Sequence, residues 1–287
     1  MLNSTSNPGK LTPKKEHAGN LRVAAIQMAS GSSVSANLEA VLRLIEDAVS
    51  QGARLVALPE YFCIMGVKDT DKLAAQEQPG KGLIQSFLSE TSRRLGIWLV
   101  GGTVPLASPE PGKVYNSCLV YDDNGKQVAR YDKIHLFGLA LGNECYAEEK
   151  TIKAGDKVVT LESPFGRIGL SVCYDLRFPE LYRMMGNVDI ILAPSAFTAI
   201  TGKAHWETLV RSRAIENLAY VIAPGQGGYH VNGRETNGDT MIVDPWGAII
   251  NRLPRGAGVV LATLDPAYQA SLRANLPALD HRCLHHC

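Results

Sequence analysis

Apolar and polar positions alternate along this chain in a repeating order of short strand and amphipathic helix. LRVAAIQM (21–28) is a buried strand candidate, and Leu38, Val41, Leu42, Ile45 and Val49 follow at the spacing of one helical face, with Gly52 as the stop. LVALPEYF (55–62) returns to strand, LIQSFLSETSRRLG (83–96) to helix, and WLVGGTVPL (98–106) to strand. This is the alternation of a sheet with crossover helices. The pattern then changes to strand, turn, strand in VYNSCLVYDDNGKQVARYDKIHLF (114–137), with Asn124 and Gly125 as the hairpin turn. GLALGNECYAEEKTIKAGD (138–156) shows no clear period and reads as a long functional loop or lid.

The second half repeats the first. KVVTLESPFGRIGLSVCYD (157–175) is two strands around a tight turn, and VDIILAPSAF (188–197) is a buried strand. AHWETLVRSRAIENLA (204–219) is a helix with Trp206, Leu209, Val210 and Ile215 facing the core. YVIAPGQGG, DTMIVDPWGAIINRL and GVVLATLD complete the strands. The two halves predict two sheets packed face to face with helices outside, without a linker between them. The expected organisation is a tail over 1–20, one domain over 21–280 and a second tail over 281–287.

Composition narrows the function. The chain has 287 residues, 45% hydrophobic and 20% charged, with a formal net charge of +1. That leaves ample core and no electrostatic reason to expect nucleic acid or an anionic membrane as partner. The opening twenty residues lack an apolar stretch and read as a flexible tail, not a secretory signal. Six scattered cysteines form no disulfide framework, so reduced thiols in the cytoplasm are expected. In DHRCLHHC, Cys283, His285, His286 and Cys287 are ligand types, but their spacing fits no usual zinc pattern. A specific metal site is not expected at that terminus.

Cys173 stands where the pattern predicts that a strand becomes a helix. Ile168, Leu170 and Val172 alternate as a strand, and Pro179 with Glu180 reads as a first helical turn. A side chain there stands at the mouth of an open sheet, where such folds collect ligands. A nearby helix N-terminus is expected to favour thiolate over thiol. Burial as a small hydrophobe is the competing account of this cysteine. Glu60 and Lys133 also stand where predicted strands end, although each taken alone reads more readily as a solvated surface charge.

Three contexts, LPEYF at Glu60, YDKIHLF at Lys133 and SVCYDLRFPELYR at Cys173, together resemble the nitrilase superfamily of carbon-nitrogen hydrolases over about residues 21–280. The resemblance implies an α/β fold, a four-layer αββα sandwich that assembles as a homodimer or higher homo-oligomer. It implies a Glu60, Lys133, Cys173 triad with no metal or organic cofactor, and a second glutamate, best matched by Glu148, with Glu149 adjacent. Such a site converts a small-molecule amide into a carboxylic acid and ammonia. Tyr174 and Asp175, with Arg177 and the FPELYR continuation, look like the amidase branch that includes omega-amidase and deaminated glutathione amidase. PSAFTAITGKAHWE and GRETNGDTMIVDPWG lean towards the latter, whereas Asp239 and Cys145 depart from its pattern. For an anionic amide, Arg177 is the expected carboxylate partner, with Tyr174, Thr198 and Tyr146 as pocket walls. Pairing of Arg177 with Asp175 or Glu180 is the structural alternative, and His135 and His205 could orient neighbours. Omega-amidase and N-carbamoyl hydrolase activities are alternatives within the enzyme class. A redox thiol protein and a non-catalytic binding protein are alternatives outside it.

Overall fold

A computed structural model describes residues 21–141 and 144–283. The predicted N-terminal tail therefore lies outside the described residues, as do His285, His286 and Cys287 of the terminal Cys/His cluster.

Strand Leu21–Gln27 sets the first layer because successive side chains leave it on opposite faces. Val23 and Ala25 join the cluster that also holds Ile168, Leu170, Val221 and Val243. Ala24 and Ile26 join the cluster that holds Leu38, Val41, Ile45 and Leu88 from two helices. A strand covered on both faces has no polar side, which is why its sequence is continuously apolar.

The first sheet runs Gly258–Leu264, Leu21–Gln27, Leu55–Ala57, Trp98–Val100, Val114–Tyr121, Val104–Ala107, and Gln127–Asp132 also pairs with Val114–Tyr121. The second runs Ile249–Leu253, Thr240–Val243, Tyr220–Ala223, Ile190–Leu192, Gly166–Leu170, Thr160–Ser163. Helices Val34–Ser50 and Leu83–Leu95 cover the first sheet. Helix Ala199–Asn217 covers the second through Trp206 and Val210. The result is the expected αββα sandwich.

Helix ends follow local chemistry. Ser33 caps Val34–Ser50 by accepting from the Ala36 amide at 3.4 Å. Gly96, in the left-handed region at φ 62°, closes Leu83–Leu95.

Several expectations change. WLVGGTVPL is two strands broken at Gly101 and Gly102, since a Cβ on Gly102 would fall 2.0 Å from the Pro59 carbonyl oxygen. The stretch expected to be an irregular loop contains a hairpin, Gly138–Leu141 with Glu144–Ala147, and a short 3-10 turn over Glu148–Lys150. Its strands are too short and too exposed to show a hydrophobic alternation. Ile215 is 48% exposed rather than core-facing, because it lies on the outer side of its helix against the turn at Gly247. That helix starts five residues earlier than expected, at Ala199, where Thr198 accepts from the Thr201 amide at 3.3 Å.

Candidate active site

The three strand-end residues come from different places but converge. Strand Leu55–Ala57 stops before Glu60, so the carboxylate sits on the following turn. That turn is fixed from both sides. Tyr61, at φ 57°, donates its amide to Thr103 Oγ1 at 2.9 Å, and the Gln226 side chain donates to the Glu60 carbonyl at 3.0 Å. Lys133 directly follows strand Gln127–Asp132, and its amide donates to the Asn116 carbonyl. Strand Gly166–Leu170 likewise ends before Cys173, which opens a 3-10 turn over Cys173–Arg177.

Cys173 has φ 52°, a left-handed conformation that costs a non-glycine residue about 1–3 kcal/mol. The fully buried Asp175 holds it there. One carboxylate oxygen accepts from the Val172 amide at 2.8 Å and the Tyr131 hydroxyl at 2.7 Å, and the other meets the His135 amide at 3.1 Å and Nδ1 at 2.7 Å. Asp175 therefore ties the cysteine turn to the strand that delivers Lys133. Its oxygens are not used by Arg177, so the expected structural pairing of Arg177 with Asp175 is absent.

Lys133 is wholly buried between two carboxylates. Its Nζ lies 2.9 Å from Glu60 Oε1, 2.8 Å from Glu148 Oε2 and 3.1 Å from Glu148 Oε1. Asn116 Nδ2 also donates to Glu60 Oε1, at 2.9 Å. Glu148 receives the Tyr61 hydroxyl at 2.7 Å and the Phe137 amide at 2.8 Å. The neighbouring Glu149 is exposed, so of the two glutamates Glu148 is the one in contact with Lys133.

These surroundings move the two carboxyls in opposite directions. Burial raises Glu60 above the ordinary 4.5, an effect Lys133 only partly offsets and Glu148 reinforces. Burial also acts to raise Glu148, but the Lys133 charge and the hydrogen bonds from Lys133, Phe137 and Tyr61 outweigh it and leave Glu148 lowered. Burial opposes the charge on Lys133, yet Glu148 and Glu60 together hold it well above 10.5.

The expected pull of a helix N-terminus towards thiolate is outweighed at Cys173. Burial, and then the charge of Glu60, raise the Cys173 thiol well above 9.0 despite Lys133 and an amide donor at Ala196. A 3-10 turn of five residues carries little aligned dipole, while the carboxylate next door is a full charge. These surroundings favour the neutral thiol beside Glu60, an arrangement in which one group can pass its proton to the other.

The predicted pocket residues divide. Tyr174, Arg177 and Thr198 line one cleft with Cys173, Phe137 and Phe197. The Arg177 guanidinium lies 5.7 Å from the Tyr174 ring centre and 5.5 Å from that of Phe197, with His205 Nδ1 at 3.3 Å. Tyr146 does not line this cleft; its ring packs on Phe137 at 5.4 Å. His135 stacks on Phe178 at 3.7 Å beside Asp175. Asp239 faces elsewhere, pairing with Arg252 in a concavity of about 870 Å3 that also borders His205 and holds none of the four predicted catalytic residues. Cys145 is exposed on the hairpin. Among the described residues no group of three or more His, Cys, Asp and Glu side chains could hold a metal ion, and no helix is long and apolar enough to cross a membrane.

Sequence reasoning missed Asn116, Tyr61, Gln226 and the bracing role of Asp175. Only Asp175 carried a local signal, two positions after the cysteine.

The carbon-nitrogen hydrolase family profile matches residues 22–274. The chain belongs to this family. It is a hydrolase acting on carbon-nitrogen bonds of amides. It is 42% identical over 266 residues to the deaminated glutathione amidase of Synechocystis sp., spanning 90% of this chain and 97% of that one. The human deaminated glutathione amidase is 36% identical over 267 residues, 91% of this chain and 81% of the relative. Among solved structures, Nit3 of Saccharomyces cerevisiae, a member of branch 10 of the nitrilase superfamily, superposes with a TM-score of 0.84 at 29% identity. The match covers 95% of this chain and 100% of that one.

Proposed function

We propose that the chain is an amidase working through Glu60, Lys133 and Cys173, with deaminated glutathione as substrate. The observation that carries the mechanism is the buried Lys133 ammonium held between the carboxylates of Glu60 and Glu148, with the buried Cys173 beside them. Glu60 takes the thiol proton as sulfur attacks the amide carbon, forming the C–S bond of a tetrahedral intermediate. The raised pKa of Glu60 suits a group that must both accept and return a proton near neutrality.

Lys133 stabilises the oxyanion. Its 3.1 Å contact to Glu148 is the longest of the three, so it is the one that yields to the substrate oxygen, helped by a backbone amide near Tyr174. Glu60 then delivers its proton to the departing nitrogen, and the C–N bond breaks to leave a thioester. For a primary amide that nitrogen leaves as ammonia. For deaminated glutathione it is the amine of cysteinylglycine. Glu60 finally activates water, which releases the acid and restores the thiol. Glu148 positions Lys133 and keeps it charged.

Arg177, in the cleft with Cys173, meets a carboxylate of the substrate, with Tyr174 and Thr198 as walls and Tyr146 backing Phe137. Exposed Ile215 and Trp246, adjacent through Gly247, favour a homodimer, which light scattering would register as twice 31.0 kDa. Five free cysteines among the described residues accord with a reducing cytoplasm.

The test is a panel of deaminated glutathione, 2-oxoglutaramate, an N-carbamoyl amino acid and an aliphatic nitrile, followed by release of acid and of amine or ammonia. Cys173-dependent preference for deaminated glutathione is the expected result. Preference for 2-oxoglutaramate would replace this reading with omega-amidase.

A further inference from the structure

The cleft lined by Arg177 is one end of a longer row of contacts. The Arg177 guanidinium lies over Tyr174, Tyr174 packs on Phe137 at 5.3 Å, Phe137 packs on Tyr146 at 5.4 Å, and the Tyr146 ring carries a second guanidinium, Arg234, at 4.6 Å. Three aromatic rings thus link two arginines, and the middle ring belongs to the residue whose amide holds Glu148.

Arg234 is strangely provisioned for a cation. Its buried Nε has no hydrogen-bond partner, and the contact of its Nη1 is the Met65 sulfur at 3.9 Å. The turn that carries it is nevertheless fixed: the Arg234 amide donates to Asn232 Oδ1, and Asn232 Nδ2 donates to the Gly66 carbonyl at 2.9 Å. A second cation stands nearby. Lys72 Nζ lies 5.7 Å from the Tyr61 ring centre and 3.2 Å from Thr151 Oγ1, in a narrow cleft shared with Tyr61 and Asn116.

Among the described side chains, neither Lys72 nor Arg234 has a carboxylate within ion-pair distance. Glu148 is near Lys72, but both its oxygens are already taken by Lys133, Tyr61 and the Phe137 amide. Burial chiefly, and then the charge of Arg234, lower the pKa of Lys72 against the pull of Glu148 and Asp69. Two half-buried cations that repel each other, one with an unmet donor, are stabilised when an anion arrives between them.

We propose that Arg234 and Lys72 form a receptor for a substrate carboxylate at the opposite end of the aromatic row from Arg177. The scissile amide then lies between two anionic anchors, and the enzyme selects dianionic amides over monoanions. Arg234 supplies the fork that recognises a carboxylate, and Lys72 supplies charge. This rests on the amidase reading but not on which amine departs.

The test uses the intact chain with Arg234→Gln, Lys72→Met and the conservative Arg234→Lys. The ratio of kcat/KM for a dianionic amide to that for its methyl ester is expected to fall about ten- to a hundredfold in Arg234→Gln, less in Lys72→Met, and to recover partly in Arg234→Lys. A ratio unchanged in both neutralising variants overturns the proposal. Binding to Cys173→Ala, which needs no turnover, separates this from failure of the functional reading. In that background, 2-oxoglutarate and cysteinylglycine are titrated with and without Arg234→Gln. Weakened binding of the first places the carboxylate on the acyl half, and of the second on the amine half. Undiminished binding of both refutes the receptor.

Discussion

The two sheets contribute to the site in contrasting ways. The first sheet and the loops beyond its strands supply a closed set of charges, Glu60, Lys133 and Glu148, with Asn116 and Tyr61 completing the hydrogen bonds. The second supplies one sulfur on a strained turn, held by the carboxylate of Asp175 and by the Cys173 amide, which donates to the Pro194 carbonyl at 2.9 Å. The charges are secured by several side chains, the Cys173 turn by one side chain and its own backbone. Buried ions without partners are far costlier than a buried thiol, so the sequence invests its polar side chains on the ionic side.

The contrast predicts graded outcomes. Cys173→Ala and Glu60→Gln should each lower turnover on the order of a thousandfold or more, read as kcat, with the fold retained. Lys133→Met leaves two buried carboxylates facing each other and should cost about 3–5 kcal/mol in denaturant unfolding, so here the ionic side shows its structural weight. Asp175→Asn should cost about 1–3 kcal/mol and slow acylation of Cys173 by an electrophilic probe, because the turn loses part of its brace. Normal labelling kinetics would show that the left-handed turn stands without Asp175.

The acid limb of kcat/KM is a subtler probe. Glu60 must be ionised to accept the thiol proton, and its folded pKa lies above 4.5, so activity should fall as pH drops through that raised value. Asn116→Leu removes a donor to the charged form and should move the limb to higher pH. Glu148 has the opposite sign. Its folded pKa is below the unfolded one, so its contribution to stability is present above about 4.5 and is lost as pH falls through the lower folded value.

Glu60, Lys133, Cys173 and Glu148 were legible in the sequence because strand ends and short motifs are local. Their partners were not. Asn116 reaches Glu60 because Trp98–Val100 pairs with Leu55–Ala57 on one side and with Val114–Tyr121 on the other, and no local pattern states that. The surroundings of Cys173 are hidden from the sequence for a related reason. The turn after it is visible in sequence, but its burial beside Glu60 depends on the docking of one sheet on the other. The hairpin at Gly138–Ala147 escaped notice since exposed strands need no apolar face.

Strand Leu21–Gln27 lies between Leu55–Ala57 and Gly258–Leu264, with Leu21 opposite Leu264. On a ribosome, that first strand emerges long before its outer neighbour exists. At ordinary elongation rates the delay is on the order of ten seconds or more. Throughout that interval an apolar strand edge is open, and the chain must be synthesised nearly whole before the first sheet can close. Cys173 is made well before that closure, so newly made polypeptide carries it for some time as an unassembled, chemically ordinary thiol.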